Sequence, residues 1–163
     1  MILLGIDVGI TGALAVIDGE GRLLDVVDMP CLQDGPAGRR AINAPLLSCE
    51  ISTIGQCKQA FVEYVGPRPM EGAVGAFSFG RSKGIIEGVL AAHGISIQWF
   101  TPPSWKRIIR LPPGAEKAKD ASRAEAIRRC PSQAHMFARV KDDGRADAYL
   151  IGLAGMIKTG LIP

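Results

Sequence analysis

The sequence has little of what zinc sites, disulfide scaffolds and membrane anchors are built from. Its 163 residues hold four cysteines, Cys31, Cys49, Cys57 and Cys130, and two histidines, His93 and His135. No two cysteines form a C-x-x-C pair and the histidines stand far from all of them, which excludes a ligand spacing for zinc and leaves reduced thiols in a cytosolic core. There is no apolar run of about 18 residues, so no segment reads as a membrane-spanning helix. The N-terminal Ile2-Leu3-Leu4 run is short and lacks the charged start of a signal peptide, which makes the cytoplasm the expected location. Aromatic residues are only 6% of the chain. No internal repeat or low-complexity segment interrupts it.

What is present is a chain of one-domain size, residues 1–163, with 47% hydrophobic residues and enough length for a full core. The net charge of +3 is unevenly spread. Residues 1–80 carry 5 Lys/Arg against 9 Asp/Glu, and residues 81–163 carry 14 against 7. A basic second half is the electrostatic footprint of a nucleic-acid binder, although a solvated basic surface has the same composition.

Residues 2–8 and 12–18 are rich in Ile, Val, Leu and Ala around a glycine-containing turn, and 22–29 follows as a third strand, so the chain opens as a meander. Residues 30–45 read as a loop, 46–59 as a weak helix, and 60–65 (AFVEYV) as a buried strand with Glu63 near its end. Residues 66–75 read as a loop, 78–93 as a helix with small residues on one side, and 95–100 as a fifth strand. Helices are expected over 104–110, 116–129 and 143–158. Strands that begin as a meander and then alternate with helices indicate an α/β fold, a five-stranded mixed sheet flanked by helices.

Acids stand where packing prefers apolar residues. Asp7 ends the first apolar run, Glu63 sits within FVEYV, and Asp143 and Asp147 precede AYLIGLAGM. Residues four apart lie about 40° apart around a helix, so Asp143 and Asp147 share a face, whereas Asp142 in a regular helix points elsewhere. Taken singly, each acid is explained by a turn, an exposed edge or the favourable start of a helix. Together, buried carboxylates repel and are costly to desolvate, and a hard divalent cation with oxygen ligands is the usual remedy. Two such ions about 4 Å apart suit phosphodiester hydrolysis.

The stretches GIDVGITGALAVID, FVEYV, FSFGRSKGIIEGVLAA, TPPSWK, EKAKDASRAEAI and KDDGRADAYLIGLAG together resemble the RuvC-type Holliday junction resolvases of the RNase H-like superfamily, especially their phage-associated relatives. The resemblance covers most of the chain. It implies an RNase H-like nuclease domain that binds Mg²⁺, with Mn²⁺ as substitute, and resolves four-way or branched DNA by paired nicks that leave 5′-phosphates and 3′-hydroxyls. It implies metal ligation by Asp7, Glu63 and Asp147. The family places the remaining acid three residues before the last one, where this chain has Gly144; Asp143 is the nearest acid and the choice here, with Asp142 in reserve. Lys106 matches a family position near the scissile phosphate and Lys119 a second basic position, both expected to position DNA or stabilise transition-state charge, and Arg81 and Lys83 are expected on DNA phosphates. The aromatic wedge that family members carry after the fourth-strand Glu has no clear counterpart beyond Met70, Phe77 or Phe79. A symmetric junction implies a C2 homodimer, with the helix bearing Gly84, Gly88, Ala91 and Ala92 as its interface, although the same face would also suit packing on the chain's own sheet. No small-molecule cofactor or membrane partner is expected.

Three other readings share part of the pattern. An RNase H-like nuclease of broader branched-DNA or RNA/DNA-hybrid specificity needs the same acids. A non-catalytic junction-binding module needs only the basic face. Actin-like ATP-binding phosphotransferases begin with a similar Asp-Gly turn, but their architecture repeats the unit in two domains, and 163 residues hold one.

Overall fold

The computed structural model describes the chain apart from residues 36–37, 65, 67–71 and 113–114 and the side chains of 115–119. Strands β1 (Ile2–Asp7), β2 (Ala13–Asp18) and β3 (Leu23–Asp28) form the expected antiparallel meander. A short hairpin follows, β4 (Cys31–Gln33) and β5 (Arg40–Ile42), then α1 (Ala44–Thr53), β6 (Cys57–Glu63), α2 (Ala73–Ala92) and β7 (Ser96–Phe100). Helices α3 (Pro102–Ile109), α4 (Ala115–Arg129) and α5 (Asp143–Lys158) complete the chain, with 3₁₀ turns at Pro131–Phe137 and Val140–Asp142 before α5. The main sheet has the order β3-β2-β1-β6-β7, with β6 parallel to β1 and β7 parallel to β6. The mixed five-stranded sheet expected from sequence is therefore present. Among the described residues no helix is long and apolar enough to cross a membrane.

Several boundaries differ from the sequence expectation for local reasons. The 30–45 segment contains the β4–β5 hairpin because Ala41 and Ile42 bury against the sheet while Arg40 stays out. Helix α1 begins earlier than residue 46, since the Asn43 side chain accepts from the Leu46 backbone N–H at 3.1 Å. It also ends earlier, because Gly55 turns the chain with φ of 85° and frees Cys57, Lys58 and Gln59 for β6. Helix α2 starts five residues ahead of Ser78, adding a polar-free first turn that sequence spacing did not require. Val65, in the expected fourth strand, and Met70, in the expected loop, lie outside the described residues.

Alternation along the strands divides the core into two layers. Leu4, Ile6, Val62 and Leu14 face α1 and α2. Leu3, Phe61, Ile17 and Phe100 face α3, α4 and α5. Asp7 and Glu63 continue the alternation of Leu3 and Phe61, so both belong to the α5 face. Helix α5 is buried along most of its length and lies unusually close to β1. A Cβ on Gly5 would fall on the Ala148 carbonyl oxygen and within 2.7 Å of the Gly152 nitrogen, and a Cβ on Gly155 would enter the Phe61 ring.

This close approach predicts that Gly5→Ala lowers unfolding free energy by about 3 kcal/mol, the upper part of the overpacking range. Gly80→Ala, whose new Cβ meets nothing within 4 Å on α2, raises it by about 0.5–1 kcal/mol through helix propensity. Urea denaturation of the two variants beside wild type checks the contrast.

Candidate active site at the carboxyl ends of β1 and β6

Asp7 is the last residue of β1 and Glu63 the last of β6. The parallel register pairs Ile6 with Val62, which sets the two acids side by side at the carboxyl ends of neighbouring strands, where open α/β sheets present their ligand sites. Asp143 and Asp147 enter from the first turns of α5. The four acids act on one another. Asp7 keeps a little solvent contact but is surrounded by protein on nearly every side. Burial, followed by the charges of Glu63, Asp147 and Asp143 and a hydrogen bond to Glu63, pushes its carboxyl well above the ordinary range. Burial likewise raises Asp147 to about 6; the Ser122 hydroxyl and the Lys106 ammonium work against that rise, while Glu63 and Asp143 add to it.

Two residues that the sequence did not single out hold these acids in place. Trp105, fully buried on α3, donates its indole N–H to Glu63 Oε1 at 3.0 Å. Ser122, buried on α4, hydrogen-bonds Asp147. The signal for Trp105 was available: a buried Trp needs an acceptor, and TPPSWK puts one of the chain's two tryptophans beside the expected Lys106. Nothing local distinguishes Ser122 from a packed helix serine.

Asp142 goes elsewhere. It is 1% exposed and its carboxylate takes the Arg139 backbone N–H at 2.8 Å and the Arg139 guanidinium at 2.8 Å. Burial opposes its charge, yet those bonds outweigh it and hold the carboxyl below its usual value. Arg145 also clamps Asp28 at the end of β3, at 2.5 and 2.7 Å, anchoring the start of α5. Gly144 has a steric reason: its Cα faces the β1–β2 turn, and a Cβ there would strike the Thr11 carbonyl and approach Asp7 Oδ2 to 3.3 Å. An acid at 144 therefore has no room. Gly12 is constrained from the other side, since its Cβ would fall on the Asp7 carbonyl.

The expected basic residues divide. Lys106 lies near Asp147, with its ammonium 5.3 Å from the Trp105 ring centroid. Arg81 pairs with Asp34 of the loop after β4. Lys83 is half-buried, its ammonium 4.4 Å from the Tyr64 ring centroid, 4.9 Å from that of Trp99 and 3.9 Å from Glu87, a setting that ties its charge to aromatic faces. The side chain of Lys119 lies outside the described residues. The small face of α2 points outward: Gly84, Gly88, Ala91 and Ala92 are exposed, and the buried face is Ser82, Ile86 and Leu90. It does not pack on the chain's own sheet.

The donor set is all carboxylate oxygen, the chemistry of hard divalent cations. Asp147 Oδ1 is buried with no hydrogen-bond partner, an acceptor that a cation would satisfy. Among the described residues no three His, Cys, Asp or Glu side chains stand close enough together to hold a metal ion as they are, and the four acids are related by mutual repulsion.

No protein-family model and no curated protein sequence matches the chain. Solved structures do. The chain is similar to Thermus thermophilus RuvC in complex with Holliday junction substrate, over 99% of its own length and 98% of that chain, at 21% identity and a TM-score of 0.65. A second Thermus thermophilus RuvC structure covers the same shares at 21% identity and a TM-score of 0.60. Fowlpox virus resolvase, in complex with Holliday junction DNA, aligns with 96% of this chain and 99% of its own at 11% identity and a TM-score of 0.50. The fold is that of RuvC, an RNase H-like sheet with flanking helices.

The raised acids make a signed prediction. Where a carboxyl's folded pKa exceeds its unfolded one, the folded state binds the extra proton between the two values, so stability falls as pH rises through that window. In the presence of a chelator, Asp147→Asn is therefore more stable than wild type by on the order of 2 kcal/mol at pH 7–8. The difference vanishes below about pH 4, which denaturant titrations across pH read directly.

Proposed function

We propose that the protein is a divalent-metal-dependent, structure-selective endonuclease that resolves four-way or closely related branched DNA by paired nicks, leaving 5′-phosphates and 3′-hydroxyls. The observation that carries this is the convergence of Asp7, Glu63, Asp143 and Asp147 at the carboxyl ends of β1 and β6 under the first turns of α5. The substrate class is supported by the full-length likeness to two resolvases whose structures hold Holliday junction DNA.

In this reading the four acids hold Mg²⁺, with Mn²⁺ able to substitute. The ion supplies Lewis acidity, making the attacking water more acidic and offsetting charge on the leaving oxygen. The chain's own residues supply the rest. Trp105 fixes the rotamer of Glu63, and Ser122 fixes Asp147, so the acids meet their ligand without reordering. Lys106 places a positive charge beside Asp147, where it steadies the carboxylate and the pentavalent phosphorus oxygens alike. Arg81, Lys83 and Lys119 serve as phosphate contacts, Arg81 by exchanging Asp34 for DNA. No covalent protein nucleophile is required. Paired nicks on a two-fold substrate call for a C2 homodimer, and the outward face of Gly84, Gly88, Ala91 and Ala92 on α2 suits close helix contact between copies.

A nicking assay with Mg²⁺ on a mobile four-way junction, a flap, a Y-fork and an RNA/DNA hybrid tests the reading. Asp7→Asn and Asp143→Asn each slow junction nicking by more than about a hundredfold, beyond the usual effect of losing an outer-shell partner. Asp142→Asn keeps most of the rate and loses thermal stability through the broken Arg139 pair. Junction binding without metal-dependent nicking by wild type would reduce the protein to a binding module, and equal rates on all four substrates would remove the junction selectivity.

A further inference from the structure

Three clefts adjoin one another around the β1–β2 turn. The first, about 310 Å³, lies between the β4–β5 hairpin and the start of α2 and is lined by Ile10, Arg39, Arg40, Phe77 and Arg81. The second, about 190 Å³, shares Ile10 and Arg40 with the first and continues past Thr11 to Lys141. The third, about 340 Å³, shares Thr11 and Lys141 with the second and ends at Arg123 and Asp143. Shared walls make them one trench, running from the hairpin across the turn to an acid of the candidate active site.

The trench is positive once its ion pairs are cleared. Its acids outside the site are taken: Asp34 by Arg81, Asp28 by Arg145, Asp142 by Arg139 and Asp120 by Arg123. Arg39, Arg40 and Lys141 are exposed and, among the described residues, have no carboxylate partner. Arg123 keeps a buried Nε with no acceptor, although its Nη2 meets Asp120. A buried unpartnered guanidinium N–H beside a row of free cations is a setting for successive anionic oxygens. At the far end Phe77 is 73% exposed and Val74 65% exposed, an open aromatic face of the kind on which an unpaired base stacks.

We propose that this trench carries one strand of DNA across the β1–β2 turn toward Asp143, with Arg40, Lys141 and Arg123 on its successive phosphates. The proposal depends on the nuclease reading only for calling that strand the substrate's. It enlarges the DNA-contacting surface to the acidic-looking first half of the chain, through Arg39 and Arg40 on the hairpin.

The test uses the full chain with chelator and a fluorescent 20-nucleotide oligo-dT, so that binding is read without cleavage, across a salt series. The double variant Arg40→Ala/Lys141→Ala binds about tenfold more weakly, and its log-affinity against log-salt slope is shallower by about 1 to 1.5, as expected for two lost single-strand phosphate contacts. The charge-keeping Arg40→Lys/Lys141→Arg variant stays within about twofold of wild type, which separates lost charge from misfolding. Wild type that does not bind the oligonucleotide, or an alanine variant with unchanged affinity and slope, overturns the trench. Junction nicking by the same wild-type preparation, with Mg²⁺ restored, reports separately on the nuclease reading.

Discussion

The contact between α5 and β1 governs the rest of the molecule. Gly5 has no room for a side chain because the Ala148 carbonyl and the Gly152 backbone occupy that space, and Gly144 has none because the β1–β2 turn does. A helix that close to a strand delivers its first turns directly over the strand's end. Asp143 and Asp147 therefore come down on Asp7 and Glu63, which the parallel β1–β6 register has already set side by side. The Arg145 clamp on Asp28 and the Arg139–Asp142 pair hold that end of α5 in place. The glycines matter here as absences of volume at a helix–sheet seam.

The arrangement stores electrostatic strain. Burial and like charge raise Asp7 and Asp147 together, and a fold that keeps four acids this close gives up stability it could have had with amides. The surrounding groups do not neutralise the cluster; they orient it. Trp105 and Ser122 each spend a buried donor on one acid, and Lys106 contributes charge from one side. Such a layout is expected where a function requires the acids to be charged and positioned at once, and it separates them from Asp142, an acid with a purely structural guanidinium partner.

Much of this was legible in the sequence. The meander, the sheet order's mixture of parallel and antiparallel pairs and the span of α5 follow from apolar periodicity, and the Asp143/Asp147 pair follows from helical spacing. Other parts depend on contacts between distant segments. The β4–β5 hairpin is two three-residue strands, too short for a pattern, and its register comes from burying Ile42. Helical spacing already sets Asp143 apart from Asp142, but the Arg139 partner of Asp142 and the closed space at Gly144 are tertiary contacts that a helical wheel does not show. That the Lys83 ammonium lies against two rings depends on the meeting of Tyr64, just after β6, with Trp99 of β7, which no local pattern announces. Ser122 carries no local signal at all.

These four carboxylates are proposed to form one divalent-cation site. Calorimetric titration of Mn²⁺ into the protein at about pH 6, repeated in buffers of different ionisation enthalpy, tests it most directly. Saturable binding accompanied by proton release is expected, because carboxyls held above their ordinary range must deprotonate to ligate, with loss of both heat and proton release in Asp7→Asn. No binding by wild type, or binding that releases no protons and survives Asp7→Asn, would contradict it.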